Sequence, residues 1–418
     1  MIARIAPGKL TGSIVAIPSK SQAHRLLIAA ALADEPTLLR CDPVSEDILA
    51  TARCLQALCA DVERLSEGFL IKPLPPKPRP VLDCGESGST WRFLLPVAAA
   101  LGAEATFLLS GRLPERPMAA LYETLEAQGL VIQGQGSARV SISGRLRGGD
   151  FSLPGDVSSQ FVSGLMLAGP LMSQGCRIQL SGALGSKGYV AITRQAMARF
   201  GVQTEPLSVP AGQRYQSPGE VQVEGDWSNA AFWLCLAALG SDLRVSGLDS
   251  QSPQGDKAIL DILRAFGADV SIQNDTISVR APADGLQAAD IDIDGCPDLA
   301  PPVALLATQA KGESRLSPTH RLRLKESDRA QSIMDTLNVL GADIRLENDR
   351  MLIRGGTRLT GGKAQGHQDH RIVMMAAIAA SVSEQAVTIS GAEAVDKSYP
   401  DFFEHLGRLG ADLAIRQA

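Results

Sequence analysis

Nine basic residues stand where helices are expected to begin: Lys20, Arg25, Arg92, Arg112, Arg116, Lys325, Arg329, Arg371 and Lys397. Two carboxylates, Asp298 and Glu326, stand among them. If even half of these bases share one cleft they repel severely, since at an effective dielectric near 20 two unit charges about 4 Å apart interact by roughly 4 kcal/mol. A ligand with several negative charges relieves that repulsion, so the pocket wants phosphate and carboxylate groups. The carboxylates beside the bases then become candidates for proton transfer.

Each base sits in a short polar stretch before an apolar run. In Pro18 to Arg25, PSKSQAHR, Lys20 and Ser21 lie at a helix mouth and Arg25 one turn further on, with His24 read as a surface or packing residue. DCGESGSTWR, Asp83 to Arg92, carries the small residues Ser87, Gly88, Ser89 and Thr90, which let backbone N–H groups approach an oxyanion; a plain tight turn reads the same way. Arg112 and Arg116 flank Pro114 in GRLPERPM. Ser158, Ser159 and Gln160 supply neutral donors, and Ser186, Lys187, Gly188 and Tyr189 repeat that theme, although either stretch alone reads as a helix cap. Asp298 in CPDLAP suits an N-cap, a catalytic group or both, and Asp47 and Asp256 suit ordinary N-caps. RLKESDR, Arg323 to Arg329, is expected to open a helix that ends at Gly341. Gln368 to Arg371 precede the helix IVMMAAIAA, and Asp396 to Asp401 precede the last one.

What positions these residues is a repeat. A helix end followed by a strand start occurs six times, in LQALCADVERL, LEAQGLVI, MARFGVQTE, LRAFGADVSI, LNVLGADIRL and LGRLGADLAI. Gly129, Gly201, Gly267, Gly341 and Gly410 take the left-handed cap position, with Cys59 in the first copy. The copies are roughly 70 residues apart, too long for an open solenoid and enough for about two helices and several strands each. Helix N-termini carry partial positive charge, so several meeting at one place make an anion trap.

At 418 residues the chain calls for two domains, with a boundary near VEGDWSNAAFWLCLAALG. The composition, 45% hydrophobic and 20% charged, is that of a soluble globular protein, and a net charge of -5 argues against a broad nucleic-acid surface. Seven cysteines without a C-x-x-C pair suggest reduced thiols in the cytoplasm rather than a disulfide framework or zinc site. MIARIAPGKL lacks a signal peptide's apolar region and no apolar run approaches 18 residues, so neither secretion nor membrane spanning is expected.

Taken in order, IPSKSQAHR, DCGESGSTWRF, LPERPM, DVSSQF, SKGY, VEGDWSNAAF, PDLAPPVALLA, RLKESDR, QDHR and KSYPDFF make the chain resemble, nearly end to end, the EPSP synthase family of enolpyruvyl transferases. The resemblance implies an α/β fold, a two-domain inside-out α/β barrel of six βαβαββ repeats, three per domain, with helices buried and sheets outside. It further implies that residues 1–17 join 227–418 in one domain, that 18–226 form the other, and that the active site lies in the cleft between them. The implied reaction transfers the enolpyruvyl group of phosphoenolpyruvate to the 5-hydroxyl of shikimate 3-phosphate, releasing phosphate through a tetrahedral intermediate. This is a step of the shikimate pathway towards chorismate and the aromatic amino acids.

Position by position, Lys20, Ser21, Arg25, Ser158, Ser159, Gln160, Ser186, Tyr189, Asp298 and Lys325 match shikimate 3-phosphate contacts. Arg321 joins them, standing where some members have an Asn that touches the shikimate phosphate. Lys20, Gly88, Arg116, Gln160, Arg329, His370, Arg371 and Lys397 match phosphoenolpyruvate contacts, and Asp298, Glu326 and Lys20 the catalytic groups. No metal or organic cofactor is implied, and no nucleic-acid or membrane partner; the chain is expected to act as a monomer on two small-molecule substrates. Glyphosate mimics phosphoenolpyruvate in this family. Glu86 departs from the usual Asn and would disfavour an anion unless it points away or pairs with a base such as Arg92. The sister transferase acting on UDP-N-acetylglucosamine carries a Lys-Asn pair and a loop Cys where this chain has Lys20-Ser21 and no Cys in GRLPERPM. A binding or scaffolding protein built from the same repeats is the reading of a different class.

Overall fold

Gly129, Gly201, Gly267, Gly341 and Gly410 all take positive φ, between 74° and 103°. After each, the next residue's N–H donates to a carbonyl five positions back: Leu130 to Leu125, Val202 to Met197, Ala268 to Leu263, Ala342 to Leu337 and Ala411 to Leu406. Five helices thus end in one left-handed Schellman turn, which satisfies carbonyls that a helix end leaves open. Cys59 closes the helix Glu46–Leu58 differently, at φ -159° with its N–H on the Leu55 carbonyl. A computed structural model describes residues 1–155, 158–182, 184–185 and 187–417.

Five four-stranded sheets share one arrangement. In one of them Val81–Gly85 runs parallel to Thr106–Leu109, which pairs antiparallel with Arg139–Ser143, which pairs antiparallel with Val131–Gln133. The parallel pair needs a crossover, supplied by the helix Gly88–Leu101, and the helix Ala119–Ala127 leads to the outer strand. The sixth sheet has three strands, Gly149–Pro154, Cys176–Ser181 and the two-residue Ser208–Val209. After Gly201 the chain makes only an isolated bridge between Glu205 and Ser208 where the other copies have a strand.

The chain divides into two compact units, Met1–Ile17 with Gly225–Ala418, and Pro18–Glu224. In the first, Ile2–Ile5 lies between Val387–Ser390 and Leu413–Arg416, and Thr11–Val15 pairs in parallel with Asp242–Ser246. In the second, Glu220–Gln222 returns as the parallel partner of Thr37–Arg40. Each unit has its own apolar core. The helices Trp227–Ala238, Ala300–Thr308 and His370–Ala379 are buried at every residue, as helices of an interior layer are. Strands alternate instead, Leu243 and Val245 facing in from Asp242–Ser246. No helix among the described residues is long and apolar enough to cross a membrane.

RLKESDR does not open a helix as expected. His320–Leu324 forms a 3-10 turn, Lys325 is extended, and Asp328 caps the helix Arg329–Val339 by accepting from the Gln331 N–H at 3.2 Å. Only Arg329 of the motif is α-helical, which leaves Lys325 and Glu326 in the loop between the 3-10 turn and the helix.

Pro96 inside the helix Gly88–Leu101 removes the N–H that would meet the Arg92 carbonyl. Gly164 of the helix Ser159–Ala168 packs there, so closely that a Cβ would come within 2.4 Å of that carbonyl and 3.0 Å of Pro96 Cγ. Gly164→Ala should therefore destabilise this unit by about 1–3 kcal/mol in urea unfolding; an unchanged midpoint would show that the helices do not meet this closely.

Candidate active site

In the unit Pro18–Glu224, Ser19 caps the helix Lys20–Ala31 by accepting from the Gln22 N–H, placing Lys20 and Ser21 in its first turn. The Lys20 ammonium pairs with Asp47 at 3.0 Å, from the first turn of the helix Glu46–Leu58. Arg25 is 1% exposed. Its Nε donates to Thr193 Oγ1 at 2.7 Å, and its other nitrogens reach the Ser163 hydroxyl at 3.2 Å and the carbonyls of Ser21 and Tyr189. The guanidinium also lies 4.7 Å over the Phe93 ring. Every partner is neutral, and among the described residues no carboxylate meets it. Burial therefore drives this guanidinium down to about 9.

A second cationic corner forms at Gly88. A Cβ there would approach Arg116 Nη1 to 2.7 Å and Arg92 Nη1 to 3.4 Å, so only glycine lets both guanidiniums close on this turn. Arg116 Nε is buried without a hydrogen-bond partner among the described residues. Arg92 donates to Gln160 Oε1 at 2.7 Å, and Gln160 Nε2 donates to Ser89 at 2.9 Å. Ser158 caps the helix Ser159–Ala168 by accepting from the Gln160 N–H. Ser87, which caps the Gly88 helix, is the end of a buried chain: His24 Nδ1 to Thr51 at 2.7 Å, Thr51 to Thr90 at 2.6 Å, and Thr90 to Ser87 at 2.7 Å. Burial, then the charges of Lys20 and Arg25, hold the His24 imidazole well below its usual range. It is a neutral packing residue that ties three helix starts together.

In the unit Met1–Ile17 with Gly225–Ala418, three cations converge on Asp298: Arg329 at 2.7 Å, Arg371 at 3.0 Å and Lys325 at 3.4 Å. Arg329, 1% exposed, also pairs with Glu326 at 2.6 Å and with the fully buried Asp369 at 2.9 Å. Asp369 caps the helix His370–Ala379 by accepting from the Arg371 N–H at 3.0 Å, and takes the Ser327 hydroxyl at 3.1 Å. These carboxylates hold the Arg329 guanidinium above its usual range despite the cost of burial, whereas burial pulls the Lys325 ammonium down. Lys397 Nζ donates to the Gln368 carbonyl at 2.9 Å. That carbonyl is aimed by two successive left-handed residues, His367 and Gln368, at φ 50° and 54°. His370 is buried at the same helix start.

The residues singled out in the sequence thus form two constellations, one per unit. Lys20, Ser21, Arg25, Gly88, Arg116, Ser158, Ser159, Gln160 and Tyr189 belong to the first; Asp298, Lys325, Glu326, Arg329, His370, Arg371 and Lys397 belong to the second. Ser186 lies outside the described residues. Arg112 pairs with Glu115 at 3.6 Å and is half exposed, apart from the Gly88 corner. Arg321 joins the Asp294 side chain at 2.9 Å and its carbonyl at 3.0 Å. Glu86 is exposed and its carboxylate packs on Gly111, where a Cβ would sit 2.6 Å from Cδ. Asp298 and Asp256 are not the caps their positions suggested: Cys296 and Leu299 precede the helical turns around Asp298, and Gln254 precedes the turn that holds Asp256. The repulsion expected among Lys325, Arg329 and Arg371 is relieved by Asp298, Glu326 and Asp369, the last of which the sequence reading passed over. Ser163 and Thr193 were missed too, although each stands four residues after a flagged position, Ser159 and Tyr189, on the same helical face.

A model of the EPSP synthase (3-phosphoshikimate 1-carboxyvinyltransferase) family matches residues 5–406. A 3-phosphoshikimate 1-carboxyvinyltransferase of Clostridium kluyveri is 38% identical over 418 residues, covering 98% of this chain and 97% of the relative. One of Methanocorpusculum labreanum is 39% identical over 420 residues, covering 98% of each. Among solved structures, an EPSP synthase of Acinetobacter baumannii superposes with a TM-score of 0.82 at 26% identity over 100% of both chains. The enolpyruvyl transferase NikO of Streptomyces tendae reaches 0.82 at 18% identity over 100% of this chain and 99% of that one, a likeness of fold.

Arg25 generates a direct test, because a buried cation with only neutral partners is stabilised by an added anion. Phosphate at about 100 times its dissociation constant should stabilise the wild-type chain by about 2.7 kcal/mol in thermal unfolding. With Arg25→Met that shift should vanish, while Tm without phosphate holds or rises. An undiminished phosphate shift in the variant would place the anchor elsewhere.

Proposed function

The chain belongs to the EPSP synthase family, and from that premise we propose that it transfers the enolpyruvyl group of phosphoenolpyruvate to the 5-hydroxyl of shikimate 3-phosphate, releasing phosphate. The observation that carries this reading is the Asp298 constellation: one carboxylate gripped by Lys325, Arg329 and Arg371, with a second, Glu326, on the same Arg329. In this reading the proton acceptor, the proton donor and the anion-binding cations share one set of ion pairs.

In this reading Asp298 accepts the proton of the 5-hydroxyl, with Lys20 or Lys325 assisting, and the freed oxygen attacks C2 of phosphoenolpyruvate. Glu326 gives a proton to C3, forming a tetrahedral adduct. Inorganic phosphate then leaves C2 and a proton leaves C3, restoring the double bond as an enol ether. Shikimate 3-phosphate is held by Lys20, Ser21, Arg25, Ser158, Ser159, Gln160, Ser186, Tyr189 and Lys325, with Arg321 at its phosphate. Phosphoenolpyruvate is held by Lys20, Gly88, Arg116, Gln160, Arg329, His370, Arg371 and Lys397. Barrier lowering beyond acid–base assistance comes from positioning and from the cations.

The fold is read as six βαβαββ repeats, three per unit, in an inside-out barrel with helices within and sheets without. Five sheets of one strand order and fully buried helices support that reading.

Mixing the chain with both substrates should release phosphate. Glu326→Gln should lower kcat by about 10²–10⁴-fold, the usual worth of a positioned acid or base, while shikimate 3-phosphate still raises Tm. Near-normal turnover would remove Glu326 from the mechanism, and binding of both substrates without phosphate release would favour a binding protein over a transferase.

A further inference from the structure

Asp256 is a buried carboxylate that the transfer mechanism leaves unused. It sits in the 3-10 turn Gly255–Ala258, which is fixed from both sides. Gln254 donates to the Gly225 carbonyl at 2.8 Å and accepts from the Trp227 N–H at 3.1 Å. Gly255 packs so closely on the Gly295 carbonyl that a Cβ would come within 2.6 Å of it. The turn is therefore wedged between the start of the helix Trp227–Ala238 and the segment that leads to Asp298. Ser228 Oγ hydrogen-bonds Asp256 Oδ2, and Oδ1 is buried with no hydrogen-bond partner among the described residues.

Asp298 and Arg371 bear electrostatically on this carboxyl, as does Asp226, which caps the helix Trp227–Ala238. The Cys296 thiol stays protonated, pushed up by burial and then by Asp256 and its acidic neighbours. Lys257, next in the turn, donates to the Ser250 carbonyl.

Resting on the transfer proposed above, we propose that Asp256 is a positioning residue for Asp298: its negative charge, held by Ser228 in the turn packed against the segment that leads to Asp298, keeps Asp298 a competent proton acceptor. Three cations around one carboxylate favour its ionised form and weaken it as a base. The carboxylate of Asp256 opposes them, and the repulsion is mutual. Burial first, and then Asp298, push Asp256 up to about 7, while Arg371 and Ser228 pull the other way. Asp256 thus changes charge near neutral pH. Above that point it strengthens the base; below it, the neutral acid leaves Asp298 to its cations.

The pH dependence of phosphate release from phosphoenolpyruvate and shikimate 3-phosphate tests this. Wild type should show a rise in kcat through about pH 7 as Asp256 ionises. Asp256→Asn, which keeps the shape and the Ser228 contact without the charge, should lose that rise, run roughly ten-fold slower at pH 8, and shift the acid limb of kcat/KM to lower pH. Ser228→Ala, which removes a hydrogen bond favouring the ionised form, should move the rise to higher pH. A purely structural role would scale activity without altering the profile. Variant profiles that superimpose on the wild type after scaling overturn this inference alone, and a wild-type chain that releases no phosphate overturns the proposed transfer and this inference with it.

Discussion

A guanidinium can be taken out of water only if something else satisfies its charge, and the two units meet that constraint in opposite ways. Arg329 is surrounded by Asp298, Glu326 and Asp369, so its burial is balanced within the chain. Removing one partner of such a set leaves a charge uncompensated in the interior, at roughly 3–5 kcal/mol. Among the described residues Arg25 has only hydroxyls, carbonyls and a ring face as partners. The Arg329 guanidinium is thus compensated within the chain, whereas the Arg25 guanidinium is left with neutral partners that an added anion would complement.

Helix starts do most of the placing. Ser19, Ser87, Ser158, Asp226, Asp328 and Asp369 each cap a helix with the side chain, which sets the first turn and the residues projecting from it. Asp369 serves as cap and counter-ion at once, so the geometry of Arg371 and the charge of Arg329 are fixed by a single carboxylate. The chain from His24 through Thr51 and Thr90 to Ser87 does the same with neutral groups, and a buried network of this kind rigidifies only if its members are satisfied.

The sequence disclosed periodic features well. Glycine at a left-handed position is a local demand of the backbone, so five helix ends could be read from spacing alone, and the bases gathered from helix mouths came out in the two constellations with the exception of Arg112. Charge pairing was less legible, because the partner of a cation is chosen by tertiary packing. Nothing in RLKESDR says that Asp328 takes the cap and leaves Lys325 and Glu326 outside the helix, and nothing near Lys20 points to Asp47. Asp256 looked like a cap because Asp at a helix start usually is one. Its burial and its contact with Ser228 show that its carboxyl is turned inward instead.

The strand Ile2–Ile5 lies between Val387–Ser390 and Leu413–Arg416, so both of its partners are synthesised long after it. The stretch from Pro18 to Glu224 holds all the strands of its own three sheets, and a nascent chain can complete it while the remainder is still being made. The other unit must keep Ile2–Ile5 unpaired until those two partners have been made. That order exposes a lone β-edge for the longest time at the point where sheet closure comes last.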